Sequence, residues 1–167
     1  VYAIHTNLDN VIKGVNGKIA DILGLEQRQI LSPKNGLLKK LSVFVPEAHA
    51  EKVRQAIFES GAGEIGNYSE CSFNVNGEGT FTAGEETNPF VGKKGERHYE
   101  KEIRVETVFQ QWKEATVIKA LLAAHPYEEV AYDIYPLENT YAGAGSGLVG
   151  ILPREMEEID FLHVLKQ

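Results

Sequence analysis

The sequence predicts a mixed α/β chain in which a complete α+β unit interrupts a second, partial α/β unit. Three observations carry that expectation. Over residues 37 to 138 the apolar positions switch between period two and period 3.6 in the order strand, helix, strand, strand, helix, strand. This is the split βαβ order, whose two right-handed crossovers give a four-stranded antiparallel sheet with helices on one face. One further strand and helix are expected on each side, and insertion of a unit with neighbouring termini is the simplest way to join them. The expected parts are therefore a partial lobe at 1–36, the insert at 37–138, and a linker with the start of a second lobe at 139–167.

Residues 1 to 6 read as a strand. Asp9 and Asn10 then cap a helix with Val11, Ile12, Val15, Ile19, Ile22 and Leu23 near the helical period and Gly24 as its stop. Residues 26 to 36, with Ser32-Pro33 and Asn35-Gly36, carry turn chemistry without a sustained period. A strand is expected at 38 to 45. Pro46 suits a first helical turn, and Ala50, Val53, Ala56 and Ile57 mark a helix stopped by Ser60-Gly61. Residues 68 to 75 alternate as a strand that Thr80, Phe81 and Thr82 continue past Gly77 and Gly79. A polar loop follows at 84 to 96, broken by Pro89, Gly92 and Gly95, and its length points to a functional or mobile segment. The strand at 99 to 109 sets Ile103, Val105 and Thr107 against Glu102, Arg104 and Glu106. Trp112, Ala115, Ile118, Leu121 and Leu122 give a helix that must end before Pro126, and 130 to 137 is a strand. A glycine-rich link at 142 to 147 precedes a strand at 148 to 152 and a helix through Met156, Ile159, Leu162 and Leu165.

Composition narrows the function. Among 167 residues, 17 Lys plus Arg against 24 Asp plus Glu give a net charge of -7, with no basic run to track phosphates, so no nucleic-acid partner is expected. The single cysteine, Cys71, forbids an intrachain disulfide and a multi-cysteine zinc site, which fits a reducing cytoplasm, and its alternating surroundings read as core. No apolar stretch approaches the roughly 20 residues of a membrane span, and the N-terminus lacks signal-peptide regions. Val1-Tyr2-Ala3-Ile4 opens the chain inside a strand pattern, which reads as a piece of a longer protein.

Four clusters carry possible chemistry. Gly145, Gly147 and Gly150 fit GxGxxG, but that fingerprint must follow a strand and open a helix, whereas here it contains the apolar run, so a linker entering a strand is expected. His98, Glu100 and Glu102 alternate at a spacing that could converge on a cation, although polar residues at that period ordinarily mark a solvated strand face. His125, Glu128 and Glu129 could form an acid-base group, but Pro126 prevents a shared helical face and favours a helix-ending loop around Tyr127. His5-Thr6-Asn7-Leu8-Asp9 lies where a strand gives way to a helix, a place where ligands collect in α/β sheets, against the plainer reading of a turn and an N-cap.

Residues 2 to 9, Tyr-Ala-Ile-His-Thr-Asn-Leu-Asp, followed by Gly14-Val15-Asn16, resemble the signature of the NIF-three-like dinuclear-metal family, whose members are often called GTP cyclohydrolase I type 2 homologs. The inner unit is similar to the PII-like or CutA-like domain, a ferredoxin-like βαββαβ fold, of the long bacterial members. The similarity lies in Val45-Pro46-Glu47, Gly61-Ala62-Gly63, Asn88-Pro89-Phe90 and His125-Pro126-Tyr127-Glu128-Glu129. The resemblance implies a hexameric ring, a small-molecule substrate and two divalent metal ions, with zinc, iron, manganese and magnesium undistinguished. It also implies that the parent is a metal-dependent hydrolase of GTP cyclohydrolase type and that Asp9 is a metal ligand. A carboxylate can bridge two cations about 4 Å apart. His5 is implied to be structural. The family's other ligands have no counterparts here, and His163 lacks a Glu four residues on, so this segment alone is expected to be inactive. The alternative is a non-enzymatic PII/CutA-like regulatory or oligomerisation module whose 84–96 loop senses a ligand.

Overall fold

The computed structural model describes residues 6–166. Its elements are α1 (Val15–Ile22), β1 (Glu26–Lys34), β2 (Leu38–Pro46), α2 (Ala50–Glu59), β3 (Ser72–Thr82), β4 (Arg97–Gln110), α3 (Glu114–Ala124), β5 (Tyr132–Leu137), β6 (Tyr141–Ile151) and α4 (Glu158–Val164). Short 3-10 turns occupy Thr6–Asn10, Glu47–His49 and Gln111–Lys113. Residues up to Asn35 together with those from Thr140 form one unit, and Gly36–Asn139 form the other.

In the larger unit the sheet runs β3-β4-β2-β5, antiparallel throughout, which is the ferredoxin-like order. Strand β2 sits between two partners because its sequence can be covered on one face without leaving a charge there. Leu41, Val43 and Val45 have no exposed surface, and the residues between them point to the opposite side. Against them pack Val105 and Phe109 from β4, Val53 and Ile57 from α2, and Val117 and Leu121 from α3. Helix α2 stops by two hydrogen bonds that fold the chain back: Gly61 N donates to Phe58 O at 2.8 Å and Ala62 N to Ile57 O at 3.1 Å. Gly61 takes φ 99°, open to glycine at little cost, and Ala62 joins Ile57 in the core.

In the other unit β1 and β6 form a two-stranded antiparallel sheet. Residues 26 to 36 were expected to be turn, and 142 to 147 a link; both lie largely in these paired strands. Gly145 explains the second difference, since a Cβ there would fall 2.2 Å from Ser32 O, so glycine lets the two backbones approach. Buried apolar side chains in this unit are few, Ile30 among them, whereas Ile22, Leu31 and Ile159 are exposed.

Other corrections are local. The expected strand at 1 to 6 falls outside the described residues except for Thr6, which is in a 3-10 turn. Helix α1 begins at Val15 after Gly14, so neither Asp9 nor Asn10 caps it. Pro46 ends β2 instead of opening a helix, Tyr68 precedes β3 in an isolated bridge to Ile65, and Trp112 lies in a 3-10 turn. Cys71 precedes β3 and is half-buried, outside the core cluster. Among the described residues no helix is long and apolar enough to cross a membrane.

Leu41→Ala should cost about 2 to 5 kcal/mol of unfolding free energy in urea titration, because it opens a cavity between β2 and both helices of the larger unit. A loss below about 1 kcal/mol would contradict this packing.

Candidate functional site

The segment around Asp9 is a 3-10 turn fastened at three points. Asn10 Nδ2 donates to Thr6 O at 2.9 Å, Asn16 Nδ2 donates to Asp9 O at 2.8 Å, and Ser146 Oγ donates to Asn10 Oδ1 at 3.1 Å. Val11 pairs with Ala144 of β6 in an isolated bridge. The fold needs Gly14 here: a Cβ on it would fall 1.7 Å from Leu8 O. With its backbone carbonyl held by Asn16, Asp9 leaves its carboxylate exposed. His5 lies outside the described residues.

Two cations need several fixed, deprotonated ligands. Among the described residues no three His, Cys, Asp or Glu side chains converge to supply them. The described residues therefore offer Asp9 as a single donor and do not by themselves fit a dinuclear centre. The cation-ligand alternative at His98, Glu100 and Glu102 is not formed: His98 Nε2 meets Glu100 Oε2 at 2.8 Å, while Glu102 turns to Tyr127.

A second site lies within the larger unit, on the sheet face that the helices leave open. The register puts Val75, Gly77, Gly79 and Phe81 of β3 beside Arg104, Glu102, Glu100 and His98 of β4. Over this floor fold two segments. The first is the 84–96 loop, in which Asn88 N donates to Glu128 Oε1 at 2.9 Å and Phe90 sets its ring 5.3 Å from His49 and 6.3 Å from Tyr127. The second is the chain after α3, where Tyr127 Oη donates to Glu102 Oε1 at 3.0 Å. They border an open-sided cavity of ≈ 590 Å³ lined by Phe44, Phe81, Phe90 and Tyr127.

His125 fixes the second segment. Its Nε2 donates to Phe44 O at 3.0 Å and its Nδ1 accepts from Tyr127 N at 3.1 Å, which defines a neutral imidazole with its proton on Nε2. Burial holds its pKa below the ordinary 6.5; the Phe44 carbonyl opposes that shift and nearby His49 adds to it. Burial likewise pushes the Glu102 carboxyl above its usual range, the Tyr127 hydroxyl opposes the shift, and Glu100 reinforces it. The Tyr127 phenol is raised, first by burial and then by the Glu102 carboxylate.

A family model described as Duf34/NIF3 (NGG1p interacting factor 3) matches residues 1–167. The chain belongs to the Duf34/NIF3 family. It is 45% identical over 168 residues to the "GTP cyclohydrolase 1 type 2 homolog" of Halalkalibacterium halodurans, covering 100% of this chain and 45% of that relative. It is 47% identical over 167 residues to the protein of the same name in Bacillus subtilis, covering 99% of this chain and 45% of the relative. A Bacillus cereus protein related to NIF3 has a solved structure that matches with TM-score 0.86 and 44% identity, covering 99% of this chain and 44% of that chain. The chain thus spans about 45% of the length of these NIF3-family relatives.

The sequence placed His98, Glu100 and Glu102 on a solvated face; in this NIF3-family chain all three are half-covered. The turn around Tyr127 was expected, but its bond to Glu102 was not. The available signals were two glycines inside one strand, Gly77 and Gly79, and a tyrosine between a histidine and two glutamates.

Two pH effects follow. Because the folded pKa of Glu102 is raised, its carboxyl favours the fold below about 4.5 and that favour is lost as pH rises through the raised value. Glu102→Gln should therefore show a higher Tm than the parent at pH 7 and no advantage below about 4.5. A constant difference across that range would refute the assignment. Because the folded pKa of His125 is lowered, its contribution is present above 6.5 and lost as pH falls through the lowered value.

Proposed function

We propose that this chain is the part of a NIF3-family, divalent-metal-dependent hydrolase that contributes Asp9 to the metal site, with the remaining ligands supplied from outside the described residues. The observation that carries the proposal is the fastened turn, which matches the family signature and holds an exposed carboxylate by its backbone rather than by its side chain. The curated relatives named GTP cyclohydrolase 1 type 2 homolog support hydrolysis of a nucleotide-like or other small molecule. Zinc, iron, manganese and magnesium all accept a carboxylate donor. Assembly into a homo-oligomeric ring and a cytoplasmic location belong to the same proposal.

A second reading, a regulatory module in the Gly36–Asn139 unit, is favoured by the roofed cavity and by the loop hydrogen-bonded to Glu128. It can coexist with the first, because the described turn and the cavity belong to different units.

Elemental analysis of the full-length protein should find about two divalent ions per chain, as two-metal chemistry requires. Asp9→Ala should lose them with its circular dichroism unchanged. Full metal loading in Asp9→Ala would remove Asp9 from the ligand set.

A further inference from the structure

The cavity on the helix-free face has the volume of a small-molecule site, roughly 300 to 1,000 Å³. Its floor is made by a costly choice: glycine inside a strand loses cross-strand packing and adds unfolded-state entropy, yet β3 carries both Gly77 and Gly79. The second of them has a specific use. A Cβ on Gly79 would fall 2.2 Å from Glu102 Oε2, so the missing side chain is the space in which the Glu102 carboxylate lies.

Glu102 Oε1 is engaged by the Tyr127 hydroxyl at 3.0 Å, and Tyr127 in turn has Phe81 at 6.1 Å and Phe90 at 6.3 Å between ring centroids. One carboxylate thus shares the lining of the cavity with three aromatic rings and touches the tyrosine. The charged lining is unbalanced: Glu78, Glu102, Glu128 and Glu129 face a single guanidinium, Arg104, which already meets Glu106 at 3.2 Å. Aromatic faces attract cations, and a half-buried carboxylate makes its strongest hydrogen bonds to a charged N–H donor. An anion would meet the wrong sign, and a purely apolar guest would leave Glu102 covered without a counter-charge.

We infer that this cavity binds a small organic cation with an aromatic or apolar body, of the arylalkylamine or arylamidine class. Its charged N–H group meets Glu102 and its body lies against Phe81, Phe90 and Tyr127. The inference deepens the reading of the Gly36–Asn139 unit as a ligand-responsive module and is independent of the metal site.

The test is titration of the full chain with benzamidine, followed by heteronuclear NMR, with benzamide as the neutral analogue and benzoate as the anion. Benzamidine should shift the amides of Gly77, Gly79, Phe81, Glu102 and Tyr127 and bind at least tenfold more tightly than benzamide or benzoate. Glu102→Gln should lower benzamidine affinity at least tenfold. Gly79→Ala, which removes no charge but takes the space of the carboxylate, should weaken it as well, the unchanged spectrum elsewhere reporting an intact fold. If benzamide or benzoate binds at these residues as well as benzamidine does, the cation class is wrong while the ligand-responsive reading stands. If none of the three binds, both are overturned; the same holds if the cavity proves to be closed by a second copy of the chain, seen as a doubled mass with these amides protected. Benzamidine affinity insensitive to Glu102→Gln also contradicts the inference.

Discussion

The burial of β2 is the constraint on which the larger unit depends. Leu41, Val43 and Val45 have no solvent exposure and lie opposite Thr107, Val105 and Ile103 of β4. Because side chains alternate with a period of two, slipping this pairing by one residue would turn the leucine and both valines outward and bring Lys40, Ser42 and Phe44 into the core. No such register competes. Once it is fixed, the even-numbered residues of β4 must face away from the helices, and the pairing of β3 with β4 sets Gly77 against Glu102 and Phe81 against His98. The chemistry of the helix-free face is thus a by-product of packing on the other face.

What converts that face into a cavity is the partial covering of a sheet surface by two segments distant in sequence. His125 ends α3 with both ring nitrogens engaged, and this aims Tyr127 at Glu102. The 84–96 loop is held by a backbone N–H to Glu128 and by the Phe90 ring, contacts weaker than a core. Gly92 at φ 80° lets that loop pass close to His98, where a Cβ would come within 2.9 Å. The smaller unit uses a different logic at Asp9: side-chain amides of Asn10 and Asn16 satisfy backbone carbonyls, so the acid is presented without being consumed by its own turn.

Much of this was legible in the sequence where side chains alternate or repeat. β2 and β4 announce themselves by period two, and α2 and α3 by apolar residues at helical spacing with Gly61 and Pro126 as stops. β1 was not legible because Ile30 is its one buried residue, and Ser32-Pro33 mimic a turn. β6 was not legible because glycines carry no side chain to alternate; its pairing partner, not its own propensity, makes it a strand. The Asp9 segment has the composition of a helix cap, and only the close approach of Gly14 to Leu8 shows that the helix must start later. The meeting of Glu102 with Tyr127 joins two patterns 25 residues apart that sequence periodicity treats separately.

The cavity over the helix-free face depends on that meeting. A double-mutant cycle between Tyr127→Phe and Glu102→Ala, read by urea unfolding at pH 7, tests it directly. The hydrogen bond predicts a coupling of about 0.5 to 1.5 kcal/mol between the two substitutions. Effects that add to within about 0.3 kcal/mol would show that the two residues are not joined, and the site built on them would fall.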